Sequence, residues 1–226
     1  MNFRKGLMRR SFLKLGVAGL LVGRTPLAQA AELSNPSDPE AALQKLMAGN
    51  QRFSQHQPLY PDQSQARLQE VAQAQHPFAT ILSCADSRAP AEIIFDQGIG
   101  DIFDVRVAGN IAIPETIGSI EYAVVLLGTP VLMVLGHERC GAVTAAVKHE
   151  ALPGDIGTFV EAILPAVDRV KWPFGDTVNQ VVTANVRYQI EKLRRSPLLA
   201  ERLQSGQLKI VGGRYDLDTG KVKIIA

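Results

Sequence analysis

Residues 130–137 read "PVLMVLGH", five consecutive apolar side chains between Pro130 and Gly136, closed by His137. A strand with one face in water alternates apolar and polar residues, so this run predicts a strand buried on both faces. Three further short apolar runs, less continuous than this one, also read as strands: "FATILSC" (78–84), "DIFDVRV" (101–107) and "LKIVGGRYD" (208–216). Between the second and the third strand in chain order lies "PETIGSIEYAVVLLG" (114–128), which starts with Pro, carries helix-spaced apolar residues and ends in Gly. That is the pattern of a single helix. The strand–helix–strand rhythm predicts an α/β fold with a mostly parallel central β-sheet flanked by helices.

Outward from this centre, "LSNPSDPE" (33–40) is a polar, Pro-rich linker that ends in a helix start at Ser37 or Asp38. Leu43, Leu46, Met47 and Phe53 give the following helix an apolar stripe, which Gly49-Asn50 is expected to weaken near its end. With a second short helix over 65–74 this makes an N-terminal helical arm, placed to embrace the core or a neighbouring subunit. Residues 155–204 read as largely helical, and "DLDTGKVKII" (216–225) as a hairpin turn onto an edge strand. With 226 residues, 46% of them hydrophobic, residues 31–226 are expected to form one domain.

The first thirty residues carry a different message. Basic residues precede the twin-arginine stretch "RRSFLK" (9–14), a short apolar run from Leu15 to Val22 follows, and Ala28-Gln29-Ala30 is a small-residue cleavage site. This predicts a twin-arginine signal peptide over 1–30, export of the folded chain and a periplasmic address. The apolar run is too short for a resident membrane span. The net charge of +2 comes from this segment: without its six basic residues, 18 basic face 22 acidic residues, about −4. A nucleic-acid partner therefore has no electrostatic support.

Ligands of such sheets sit beyond the carboxyl ends of the strands. Cys84 stands at the end of the first strand and His137 at the end of the third, with Cys140 expected one helical turn further on. Two thiolates and an imidazole suit Zn²⁺ and leave one coordination position open, where water becomes a nucleophile. Two thiolates also offset the metal's charge, so the water should ionise, and activity rise, on the alkaline side of neutral. Asp86 can orient that water or, in a closed state, replace it as the fourth ligand, and Arg88 can hold Asp86 off the metal. A disulfide between the only two cysteines and a closed structural zinc site remain as alternatives. Gly109, Gly136 and Gly141 suit tight turns, with Gly141 N–H an added candidate donor to a thiolate, and His56, His76 and His149 are candidate proton relays.

"CADSR" (84–88) with "HERCGAV" (137–143) resembles the zinc-site motif pair of the β-class carbonic anhydrases. The resemblance extends over "QHPFATILSCADSR", "GDIFDVRVAGN", "GSIEYAV" and the terminal "YDLDTGKV", covering roughly residues 40–225. It implies reversible hydration of CO₂ to bicarbonate and a proton on one zinc per subunit, held by Cys84, His137 and Cys140. It further implies an Asp86–Arg88 dyad, a substrate hydrogen bond from Gln75 and an apolar pocket wall at Phe103. Relatives assemble as homodimers or larger and share pocket residues between subunits. Where one subclass has a regulatory Trp, three residues before the first cysteine, this chain has Ile81, and its one tryptophan is Trp172. Two other functions stay open: hydrolysis of CS₂ or COS on the same fold, and a non-catalytic zinc-binding or redox protein.

Overall fold

The computed structural model describes residues 35–171 and 175–226. The expected signal peptide and Trp172 lie outside the described residues. Five strands form one sheet in the order β2-β1-β3-β4-β5: β1 (Ala79–Ser83), β2 (Ile102–Arg106), β3 (Val131–His137), β4 (Lys209–Tyr215) and β5 (Val222–Ile224). The first four are parallel, and β5 alone runs antiparallel, beside β4. Each of the four predicted strands is present to within a residue at either end. All seven residues of β3 are buried, and it occupies the centre of the sheet.

Helices cover both faces. On one, α1 (Pro39–Ser54) and the short α3 (Ala91–Ile94) press Ala42, Leu46, Ile94 and Phe95 against Ile81, Met133 and Val211. Asp38 caps α1, its side chain accepting from Ala41 N–H at 2.8 Å, with Pro39 in the first turn. On the other face, α4 (Pro114–Glu121), α7 (Thr177–Leu193) and α8 (Pro197–Gln204) bury Ile120, Val186, Ile190 and Leu199 against Leu82, Leu132 and Ile210. A third cluster gathers α5 (Gly141–Val147) and α6 (Gly157–Val167) around the carboxyl ends of β1 and β3. The exposed α2 (Gln65–Val71) completes the helices. Among the described residues no helix is long and apolar enough to cross a membrane.

Three expectations need correction. The helix read over 114–128 ends at Glu121 and continues as a wider π-type turn, Tyr122–Leu126. Gly49-Asn50 does not weaken α1 but seats it: Asn50 is buried, donating to the Ile94 and Gly220 carbonyls and accepting from Val222 N–H. Cys140 does not lie one helical turn beyond His137. The chain turns between them at Arg139, with φ of 50°, and Cys140 caps α5.

Candidate metal centre

Because β1 and β3 are parallel neighbours, Cys84, just past β1, and His137, the last residue of β3, emerge at the same end of the sheet. The turn at Arg139 brings Cys140 back beside them. The two Sγ atoms and a ring nitrogen of His137 lie within 4.8 Å of one another, and all three residues are buried. The sulfurs are 4.0 Å apart, about twice the length of a disulfide bond, and both cysteines are free.

Backbone donors surround the sulfurs. Gly109 N–H reaches Cys84 Sγ at 3.3 Å, so this glycine does more than permit a turn. For Cys140 it is the backbone N–H groups of Val143 and Ala142 at the start of α5, beyond the expected Gly141, that favour the thiolate. His137 Nδ1 lies 2.8 Å from the Glu138 carbonyl. A proton there leaves the lone pair on Nε2, and Nε2 is buried with no hydrogen-bond partner among the described residues. Two sulfurs on hydrogen-bond donors and one unpartnered imidazole nitrogen at a single point are the donor set of a soft divalent cation, and they fit zinc. Hydrogen bonding between the two sulfurs draws the Cys84 thiol well below its ordinary range and pushes that of Cys140 up.

Asp86 stands over this cluster, its Oδ2 3.8 Å from His137 Nε2. Arg88 holds it three ways, through its backbone N–H (2.9 Å), Nε (2.9 Å) and Nη2 (2.7 Å). These bonds keep the Asp86 carboxyl far below the usual carboxylate range, against the opposing effect of burial. A second arginine, not anticipated from the sequence, pins the same loop: Arg106 donates to the carbonyls of Cys84 (3.2 Å) and Asp86 (2.7 Å). A basic residue at the carboxyl end of the strand beside Cys84 was the only signal for it.

Gln75 and Phe103 are not brought to this point within one chain. Gln75 is exposed before the amino end of β1, and Cys84 lies beyond its carboxyl end, about 16 Å away at the strand rise. Phe103 pairs in register with Thr80, four residues short of Cys84. Its ring packs instead near Tyr122, centroids 6.1 Å apart, on the edge strand β2. His56, His76 and His149 are exposed and outside the cluster. Ile81 is a core residue of β1.

Fold and site together define a class: an α/β protein with a three-donor, soft-metal centre at the carboxyl ends of adjacent parallel strands. Residues 79–222 match the family model described as carbonic anhydrase. The chain is 42% identical over 190 residues to carbonic anhydrase 2 of Mycobacterium tuberculosis, covering 82% of this chain and 92% of the relative. It is 39% identical over 193 residues to the carbonic anhydrase of Mycolicibacterium smegmatis, covering 83% and 94%. The structure of the β-carbonic anhydrase CcaA superposes with a TM-score of 0.64 at 30% identity, covering 80% of this chain and 94% of that one. The chain belongs to the β-carbonic anhydrase family and is an enzyme of that type.

Proposed function

We propose that the protein catalyses reversible hydration of CO₂ to bicarbonate and a proton at a zinc ion held by Cys84, His137 and Cys140. The observation that carries this is the unpartnered, buried Nε2 of His137 facing two cysteine sulfurs, with the Asp86–Arg88 pair above them. Cys84, His137 and Cys140 would hold the zinc, which would supply Lewis acidity that lowers the pKa of water. Asp86, kept ionised by Arg88, is placed to accept a hydrogen bond from a water or hydroxyl group in the site and so to orient it toward substrate. Arg88, three-point bonded to Asp86, also keeps the carboxylate from closing the fourth position. Arg106 fixes the backbone on which Asp86 rides. Ile111, Val143 and Val160 share one buried apolar cluster with Cys84 and Cys140, surroundings suited to a substrate with no net dipole. The released proton leaves to buffer.

Gln75 and Phe103 are proposed to serve the site of a second copy. Both lie remote from their own cluster, and Phe103 is on β2, whose outer edge pairs with no strand among the described residues; this supports a homo-oligomer, which sedimentation would detect. Export through the twin-arginine segment to the periplasm is likewise proposed, with cell fractionation as its test.

The deciding experiment is stopped-flow CO₂ hydration by purified, zinc-loaded protein at pH 7 and near pH 9. Fast turnover at pH 9 is expected. Zinc-loaded protein without hydration at either pH would overturn the reading and direct attention to CS₂ or COS. Protein that binds no zinc would overturn the metal assignment.

A further inference from the structure

Helix α7 buries Val181, Val182, Val186, Ile190 and Leu193, and in the same stripe two amides, Asn185 and Gln189, exposed by only 1% and 0%. Burying an amide is costly unless every bond it can make is made, so the partners of these two are informative. Gln189 donates to Asn185 Oδ1 at 2.7 Å, as neighbours four apart on a helix can. Gln189 Oε1 accepts from Ala112 N–H (2.9 Å), and Asn185 Nδ2 donates to the Gly109 carbonyl (2.9 Å). Both outward bonds end on the segment just after β2.

That segment is the one whose Gly109 N–H bonds the sulfur of Cys84. Its shape is not one the chain adopts unaided. Gly109 and Asn110 both have positive φ, 74° and 46°, and two successive residues in that region need outside support. A Cβ on Gly109 would also stand 2.6 Å from Ile163 Cδ1. The support comes from α7, whose height is set by two glycines. A Cβ at Gly136 or at Gly212 would come within 2.7 Å of Val186. Without side chains there, α7 settles close on β3 and β4 and carries its amides to the segment.

We infer that Asn185, backed by Gln189, is a positioning residue for the metal centre: it holds Gly109 so that its N–H stays on the thiolate of Cys84. This inference rests on the metal reading above. A hydrogen bond to a thiolate ligand draws electron density from the sulfur and tunes the metal, and such outer partners change metal affinity 10–100-fold when lost.

The test uses Co²⁺ as the probe in wild type, Asn185→Leu, Gln189→Met and, as a core control remote from Gly109, Leu199→Ala. The sulfur-to-cobalt charge-transfer band is read with the affinity for Co²⁺ against a competing chelator. In Asn185→Leu the band should move to longer wavelength and affinity fall by about 10-fold. Gln189→Met should shift both the same way by less, and it carries the test if Asn185→Leu does not fold. Leu199→Ala should lower the melting temperature and leave the band in place. An unmoved band and affinity in the folded amide variants would overturn the inference, as would an equal shift in Leu199→Ala. A wild type without any sulfur-to-cobalt band would instead overturn the metal reading itself.

Discussion

Asp86 is acceptor only, and its two oxygens are spent on one arginine while Oδ2 also looks toward the metal-site imidazole. Replacing it by Asn keeps the shape and puts an amide NH₂ against either Arg88 or the incoming hydroxyl. Asp86→Asn should therefore keep its zinc, measured by metal analysis, and lose about 100-fold or more in CO₂ hydration by stopped flow. Full activity with zinc retained would show that Asp86 orients nothing. This residue, its arginine and the three metal donors were legible because two short local motifs, one after each of two predicted strands, contain them all. Gly109, Arg106 and Asn185 were not. Their contribution is a backbone N–H, a bond to two carbonyls and an amide from a helix 76 positions away from its partner, none of which leaves a local pattern.

Among the elements, strands were read more accurately than helix details, for a physical reason. A strand buried on both faces declares itself through unbroken apolarity, whereas a helix turn takes its meaning from what it touches. Gly49-Asn50 illustrates this: helix propensity makes both poor residues, yet the packing of α1 on α3 requires them. A Cβ at position 49 would stand 1.7 Å from the Phe95 carbonyl oxygen, which is backbone and cannot rotate away. Gly49→Ala should cost about 3 kcal/mol through this overpacking, outweighing the roughly 1 kcal/mol that Ala gains over Gly within a helix. The urea midpoint should fall accordingly. A raised midpoint would mean that α1 does not sit on α3 as described. The π-type turn at Tyr122–Leu126 was hidden for the same reason, since its apolar spacing alone reads as ordinary helix.

At the scale of the whole molecule, parallel strands gather the three candidate metal donors at one end of the sheet and leave Gln75 and Phe103 away from it, which is why the proposed function assigns those two to a second copy. Sequence could mark those two residues only through family resemblance, because their position relative to Cys84 depends on the sheet register. The edge strand also carries a charge that the fold tolerates poorly. Asp104 is largely buried on β2, where desolvation, and then the negative Glu92, lift its carboxyl to about 6 from 3.8 against the opposing pull of Ser83 and Arg106. A raised acid means that, between those values, the folded protein binds a proton the unfolded chain has lost. Stability is then greatest below about pH 4 and falls as pH rises through 6, by at most about 3 kcal/mol. Asp104→Asn removes the titration while keeping the side chain's size. Urea unfolding of both proteins from pH 4 to 7.5 should show near-equal stability at pH 4 and a variant more stable by about 2 kcal/mol at pH 7.5. Taking the difference between the two proteins cancels the pH dependence that the metal donors contribute to each. A difference that stays flat across the range would show that Asp104 ionises as freely in the folded enzyme as in the unfolded chain.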